Sequence, residues 1–155
     1  MDTTEYSSKN DTFQANNADK GGAIVLFKAS LIENASSFEE NTADLGAAIY
    51  TMKEEGVGSE MSMINGTFSK NVAATNGGAI YANGASVNVN GTVFTENTAN
   101  SQSYGGGVFY ISNTTITAEN ATFTNNTAVT HGGVVSMYTN SVVTFKDSID
   151  RKSVV

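Results

Sequence analysis

The residue types that most often perform catalysis or bind metals are scarce in this chain. It contains one histidine, His131, and no cysteine. A catalytic or metal-ligating histidine needs a base, an acid or a second ligand close by. His131 lies beside Gly132, and no cysteine, second histidine or carboxylate is near it in the sequence. We therefore interpret His131 as a solvated corner residue, and the lack of thiols excludes cysteine nucleophiles and thiolate metal sites.

Two aspartates are the best candidates for a carboxylate pair. Asp19 and Asp44 each lie six residues after a phenylalanine, but Ala74, Asn100 and Val129 hold the next three equivalent positions. A two-carboxylate active site also needs groups that position the substrate, and the sequence places none beside this pair. Catalysis by this pair is therefore a less favoured alternative.

The densest acidic groups are the pairs at 39–40 and 54–55, together with Glu60. A calcium site requires several oxygen ligands that converge in one loop, and the spacing of an EF-hand does not occur here. We interpret these groups as solvated acidic surface. The sequence thus predicts no catalytic residue, no metal ligand and no cofactor.

A fivefold repeat positions all of these residues. Each unit has a Phe followed three residues later by an Asn, and successive phenylalanines are 25, 30, 26 and 29 residues apart. The pairs are Phe13/Asn16, Phe38/Asn41, Phe68/Asn71, Phe94/Asn97 and Phe123/Asn126. A Gly-rich step and a short apolar run follow each pair; four of the five steps are glycine pairs, at Gly21 and Gly22, Gly77 and Gly78, Gly105 and Gly106, and Gly132 and Gly133. A period in this range is typical of solenoids and arrays.

The repeat predicts an all-β fold. Short stretches such as residues 86–90 alternate polar and apolar side chains, which favours strands over helices. Strands that recur in the same order, with too little chain between them for a helical crossover, can each pair in parallel with their counterpart one turn on, about 4.8 Å away. We predict a parallel β-helix of about five coils of 25–30 residues, with two or three strands in each coil. Its core would be two ladders, one of the five phenylalanines and one of Ile24, Ile49, Ile80, Val108 and Val135.

The repeated Asn and Gly positions are expected to form the corners. Asn tolerates the left-handed backbone conformation, and stacked side-chain amides can hydrogen-bond along the axis. Glycine permits a tight corner where a side chain would clash. Two units carry additional residues, at 52–60 and at 100–104, and such insertions become surface loops.

Charge and hydropathy limit the possible partners. The net charge is −7, and because nucleic acids and anionic membranes both require a cationic surface, neither is expected as a partner. No apolar run approaches the roughly 18 residues of a membrane helix, so we predict no membrane insertion by this segment. The N-terminal stretch carries no signal-peptide pattern.

The two ends depart from the repeat. We divide the chain into an N-terminal segment 1–11, a repeat domain 12–149 and a tail 150–155. Phe145 resembles the start of a sixth unit, with Ser148 at the Asn position. The tail matches the translation of a common sequencing adapter, which leads to the hypothesis that it is not native and that the chain is a fragment. The nucleotide record would test this.

Seven Asn-x-Ser/Thr sequons would accept glycans if the source secretes through a eukaryotic pathway. They are at Asn10, Asn34, Asn65, Asn90, Asn113, Asn120 and Asn125. Five of the seven lie three or four residues before a repeat phenylalanine. The simpler interpretation is a repeated turn asparagine.

The motifs Phe-x-x-Asn and Gly-Gly-Ala-Ile, in that order, resemble the repeat of the chlamydial polymorphic outer membrane proteins from Phe13 to about Phe145. The resemblance implies a right-handed β-helical autotransporter passenger that is displayed outside the cell and acts as an adhesin. From it we expect an extracellular, cell-surface or outer-membrane location and a host or neighbouring cell-surface protein or glycan as partner. End-to-end self-association is a further expectation. The alternatives are a structural surface spacer and, less favoured, an enzyme of the polysaccharide lyase or hydrolase type.

Overall fold

The computed structural model describes residues 4–155 and confirms the predicted fold class. Its 22 strands wind into a parallel β-solenoid of about five coils, and the described residues contain no helix. Every pairing between named strands is parallel and joins one coil to the next. In the described part of the chain no helix is long and apolar enough to cross a membrane.

Four sheets run along the axis, and we call them faces 1 to 4 in the order in which the chain visits them. Face 1 consists of β1 (Thr4–Lys9), β5 (Ala29–Asn34), β9 (Glu60–Ile64), β13 (Ser86–Asn90), β17 (Thr115–Glu119) and β21 (Val142–Lys146). Face 2 consists of β2 (Thr12–Gln14), β6 (Ser37–Glu39), β10 (Thr67–Ser69), β14 (Val93–Thr95), β18 (Thr122–Thr124) and β22 (Ile149–Arg151). Face 3 consists of β3 (Asn17–Lys20), β7 (Thr42–Leu45), β11 (Val72–Asn76), β15 (Thr98–Ala99) and β19 (Thr127–Ala128). Face 4 consists of β4 (Ile24–Leu26), β8 (Ile49–Met52), β12 (Ile80–Asn83), β16 (Phe109–Ser112) and β20 (Val135–Tyr138).

Each complete coil therefore has four strands, and the prediction of two or three was wrong. Single residues in the left-handed conformation divide stretches that the sequence pattern predicts to be one strand into two. Between faces 2 and 3 these are Ala15, Glu40, Lys70, Glu96 and Asn125, with φ of 53 to 56°. Because one such residue turns the chain without a loop, two strands can follow each other almost directly.

The core lies inside the tube and follows the alternation of the strands. In β12, Ile80 and Ala82 are fully buried, while Tyr81 between them points outward. The largest buried side chains of the middle coils include Phe38, Phe68 and Phe94. Each such side chain removed from water contributes roughly 1.5–3 kcal/mol before the entropic cost of ordering it.

The register differs from the predicted ladders in two places. On face 4, Ile80 pairs with Phe109 and not with Val108. The left-handed corner glycine of the fourth coil is Gly106, twelve residues after Phe94, whereas those of the third and fifth coils follow their phenylalanines by nine. On face 1, Phe145 pairs with Ala118, so it does not continue the phenylalanine ladder. The residue opposite Phe123 is Asp150. The predicted sixth unit at Phe145 and Ser148 is therefore wrong.

The paired strands extend beyond residues 12–149, the range predicted for the repeat domain. Strand β1 pairs with β5 on face 1, and β22 pairs with β18 on face 2. Residues 1–3 of the predicted N-terminal segment lie outside the described residues. The origin of residues 150–155 stays a prediction.

Candidate functional site

The five repeat phenylalanines stand in register on face 2. Neighbouring rings are stacked, with centroids 4.6, 4.5, 5.0 and 5.2 Å apart along the series from Phe13 to Phe123. Interplanar angles of 4 to 18° show that the stack is nearly parallel. This ladder is structural, since all members except Phe13 are buried.

The repeat asparagines form a second ladder, and its inner members Asn41, Asn71, Asn97 and Asn126 are buried. The Nδ2 of Asn71 donates to Asn97 Oδ1 (2.9 Å) and to the carbonyl oxygen of Phe38 (2.9 Å). The Oδ1 of Asn71 accepts from both the backbone N–H and the Nδ2 of Asn41 (3.1 and 3.0 Å). Every polar atom of the side chain thus has a partner in a neighbouring coil.

Asn16, the first asparagine of the predicted series, differs from the other four because it is exposed. Its backbone N–H and its Nδ2 both donate to Asn41 Oδ1 (3.0 and 2.9 Å), so it joins the ladder from one side. It belongs to the first coil, and β3, the strand that follows it, is the edge strand of face 3 within residues 4–155. Asn16 therefore lies at the end of the ladder and is not enclosed by it.

The predicted stacking of these amides agrees with the structure, whereas the predicted left-handed backbone of the ladder asparagines was wrong. The residue just before each ladder Asn adopts that conformation, for example Ala15 (φ 53°) before Asn16 and Lys70 (φ 53°) before Asn71. The asparagine therefore contributes its side-chain hydrogen bonds, and the residue before it makes the turn. The correction applies to all five repeat asparagines, Asn16, Asn41, Asn71, Asn97 and Asn126.

The glycine corner between faces 3 and 4 has one position that requires glycine. Gly21, Gly46, Gly77, Gly106 and Gly132 share it, with φ of 55 to 89°. A Cβ on Gly77 would lie 2.4 Å from the carbonyl oxygen of Ile80. The in-register pair of the fourth coil is therefore Gly106 and Gly107, one residue later than the pair predicted at Gly105 and Gly106.

The residues considered for chemistry lie apart. His131 is exposed at the glycine corner, with its ring centroid 6.2 Å from that of Tyr104. Asp19 and Asp44 occupy neighbouring coils on face 3 and line a shallow depression of about 300 Å³. Among residues 4–155, no group of three or more His, Cys, Asp or Glu could hold a metal ion. Glu54 and Glu55 form ion pairs with Lys28.

One buried carboxyl was missed by the sequence analysis. Glu33 points into the core from face 1, where Ser8 and Met63 are its in-register neighbours. Its Oε1 accepts the backbone N–H of Ser36 (2.5 Å), but its buried Oε2 has no partner. Burial raises the pKa of Glu33 to about 7, and the hydrogen bonds from Ser36 only partly offset this.

The aromatic residues outside the core were also missed, and five of the six tyrosines lie together. Tyr50, Tyr81 and Tyr110 are in register on the side of face 4 that points away from the core, with ring centroids 5.0 Å apart at each step. Neighbouring side chains cover Tyr50 and Tyr110, which are 2% and 9% exposed, and Tyr81 is half-buried. Burial raises the pKa of Tyr81 to about 12, and the neighbouring Tyr110 and Tyr50 add to the shift. The signal in the sequence was a tyrosine directly after the inward residue in three of the five apolar runs.

Three more aromatic side chains extend this row at its ends. Phe27 packs edge-on against Tyr50 (6.3 Å), and Tyr104 packs edge-on against Tyr110 (6.4 Å) and Tyr138 (5.7 Å). Phe27, Tyr104 and Tyr138 are 46%, 44% and 52% exposed. We call the six residues Phe27, Tyr50, Tyr81, Tyr104, Tyr110 and Tyr138 the aromatic strip.

Both insertions lie beside the aromatic strip. The loop at residues 52–60 leaves the end of β8, and the loop at residues 100–104 leads into the glycine corner before β16. The first is held by a turn in which Glu54 pairs with Val57 and by the ion pairs with Lys28. The second turns back through Ser101, whose Oγ accepts the backbone N–H of Tyr104 (2.9 Å). The loops therefore flank face 4 from opposite sides.

Face 4 also differs from the other faces in charge. Its five strands contain no Asp, Glu, Lys or Arg. The other three faces all carry charged residues in their strands, for example Glu60 on face 1, Glu39 on face 2 and Asp44 on face 3. A charge-poor surface that is rich in tyrosine is typical of the centre of protein interfaces.

All seven sequon asparagines have some solvent access. The five before the phenylalanines occupy two adjacent positions in the coil. Asn10, Asn65 and Asn120 are the left-handed corner residues, while Asn34 and Asn90 end the preceding strands. Their glycosylation stays a prediction.

Comparison with known families agrees with the repeat. No curated protein and no solved structure matches the chain significantly. Residues 65–83 match the family model of the Chlamydia polymorphic membrane protein (Chlamydia_PMP) repeat. This stretch begins at the corner before Phe68, includes Asn71 and the glycine pair, and ends with β12. The resemblance to the chlamydial polymorphic membrane protein repeat is thus confirmed for residues 65–83, which span one repeat of the chain.

Proposed function

We propose that this chain is a segment of a surface-exposed, non-catalytic binding rod with an adhesin-like role, located outside the cell or at its outer membrane. The repeat match and the β-solenoid support this, because such repeats are found in surface proteins of that family. The partner would be a protein or glycan on a host or neighbouring cell.

A single observation carries the binding role. The aromatic strip and both insertions are gathered around face 4, while face 2 repeats small polar residues such as Thr67 and Ser69. A rod that served only as a spacer would need the inner ladders and nothing on the outside. Tyrosine offers a large contact area with little loss of side-chain entropy, so this face is the part best suited to binding.

Binding to cells tests the proposal. Beads coated with the chain are expected to bind cultured animal cells or a glycan array above the level of uncoated beads. Tyr104→Ser should reduce this binding, whereas Tyr6→Ser should not. The two tyrosines are a matched pair, because each is 44% exposed and Tyr6 lies on face 1.

Two results would contradict the proposal. Binding no higher than background on cells and glycans would favour the structural spacer. Cleavage of a polysaccharide that is abolished by Asp44→Asn would favour the enzyme alternative.

A further inference from the structure

We propose that the binding partner of face 4 is a second copy of this chain, so that two rods pair side by side through their aromatic strips. The proposal deepens the proposed function and rests on it only in taking face 4 as the binding surface. It is distinct from association of the rods end to end.

Charge is the first reason. Two copies that each carry a net charge of −7 repel each other, and this repulsion is smallest where no charges face one another. Face 4 is the face whose strands are free of charged residues within residues 4–155. Lys20 borders the strip, with its Nζ 5.3 Å from the centroid of the Tyr50 ring. Along the strands themselves, a strongly cationic or anionic partner would find nothing to pair with.

Spacing is the second reason. The rings of Tyr50, Tyr81 and Tyr110 repeat every 5.0 Å, close to the rise of about 4.8 Å from one coil to the next. Tyr50 and Tyr110 are only 2% and 9% exposed, so a partner meets the strip at Tyr81 and at its exposed ends, Phe27, Tyr104 and Tyr138. A partner with the same rise can match these contacts in successive coils at the same time. A second copy has this rise, and two such sheets can pack face to face at about 10 Å.

The stacking of the rings gives the third reason. The faces of Tyr81 are covered by Tyr50 and Tyr110, with interplanar angles of 16° on both sides. Its edge and hydroxyl are therefore what a partner meets. Sugars stack on open ring faces, whereas ring edges suit the side chains of another sheet.

The pairing is expected to be weak for this length of rod. Five strands at about 4.8 Å and four residues at about 3.3 Å give a face of about 20 by 13 Å. This is well below the roughly 800 Å² per partner of a standard interface. Many copies on one surface would add their contacts, so the pairing would become strong only when the rods are displayed together.

The experiment measures self-association of the whole chain in solution and on beads. Sedimentation equilibrium up to about 1 mM is expected to show a monomer and dimer in exchange, and coated beads are expected to cluster. Added salt should strengthen both, because it screens the repulsion between two negatively charged chains.

Matched lysine variants identify the surface. Tyr81→Lys and Tyr104→Lys are each expected to weaken association about tenfold or more, because they bring like charges together. The controls are Asn88→Lys, which adds the same charge to the neighbouring strand β13, and Tyr6→Lys, which has the same exposure as Tyr104. Both should associate within about twofold of the parent chain. Tyr104 lies in a loop, so its variant tests the proposal even if Tyr81→Lys destabilises the stack.

The remaining outcomes overturn the inference. A chain that stays monomeric at about 1 mM and whose beads do not cluster has no lateral pairing. Association that is lost in Tyr6→Lys but kept in Tyr81→Lys and Tyr104→Lys would be end-to-end contact. Beads that bind cells but not each other would leave the proposed function intact and reject only the second copy as partner.

Discussion

Glu33 and Asn41 are two buried polar side chains of the second coil, and their surroundings are opposite. Asn41, at the corner after face 2, hydrogen-bonds Asn71 and the carbonyl of Phe13. Glu33, on face 1, has one oxygen bonded and one without a partner. The asparagine recurs in every coil, whereas Ser8, Met63, Val89 and Ala118 hold the positions in register with Glu33.

The difference shows what repetition provides in a solenoid. A polar residue that recurs at each coil meets an identical neighbour above and below, so donors and acceptors match along the axis. A polar residue that occurs once meets an apolar or unrelated neighbour and stays partly unsatisfied. Burial is therefore favourable for the asparagine ladder and unfavourable for the ionised form of Glu33.

The largest expected effect is loss of a central ladder amide. Asn71→Ala should lower the free energy of unfolding by about 4 kcal/mol, because Asn41 and the Phe38 carbonyl lose buried partners at once. Chemical denaturation measures this. Lys70→Ala, at the adjacent exposed position, should stay within about 0.5 kcal/mol. Equal midpoints for the two variants would show that the ladder contributes nothing.

The second effect is a dependence on pH through Glu33. Its pKa is raised from 4.5 to about 7, so the folded state keeps a proton that the unfolded chain releases. Stability from this group is therefore complete below pH 4.5 and is lost as the pH rises through 7, by on the order of 3 kcal/mol. Among residues 4–155 no charged group faces Glu33 in the core, since its neighbours are Ser8, Ser36, Met63 and Gly66.

Denaturation midpoints between pH 4 and pH 8 measure this dependence. Glu33→Gln should flatten the curve, whereas Glu39→Gln, a half-buried glutamate of the same coil, should leave it unchanged. If the parent chain and Glu33→Gln change with pH in the same way, Glu33 is not the group responsible.

A third, smaller effect concerns the glycine beside Glu33. A Cβ on Gly66 would lie 2.5 Å from Glu33 Oε2, whereas Ser36, Thr92 and Ala121 carry side chains at the equivalent corner. Gly66→Ala should therefore cost about 2 kcal/mol in the parent chain. In a Glu33→Ala background the cost should fall by about 1 kcal/mol or more. If the two substitutions lower the free energy of unfolding by strictly additive amounts, the Glu33 carboxyl is not the reason why glycine is required at position 66.

The smallest effect is at the turn before the ladder. Lys70 has a φ of 53°, a conformation that glycine adopts without strain. Lys70→Gly is expected to raise the free energy of unfolding by about 0.5 kcal/mol, and Lys53→Gly, in a loop without positive φ at that residue, to lower it slightly. The comparison of their thermal midpoints checks whether the neighbour of Asn71 makes the turn.

The sequence alone determined the period, the class of fold and the two residues that mark each coil. Phe and Asn at a fixed offset of three can lie in register only if each unit forms one turn, so Phe68 and Asn71 predict parallel ladders without further information. The match of residues 65–83 to a known repeat rests on the same local pattern.

Only the tertiary structure decided which side chains point inward and how the coils align. Residues 31–34 are two apolar residues followed by two polar ones, so the pattern does not decide whether Ile32 or Glu33 is buried, and a shift of one residue exchanges the two faces of a strand. Pairing with β1 and β9 places Glu33 inside and Ile32 outside. The position of Gly106 at the corner of the fourth coil likewise places Phe109 in the ladder instead of Val108. The aromatic strip depends on this same alignment, because its members other than Tyr104 follow one another at intervals of 23 to 31 residues and become neighbours only through the rise of the coil.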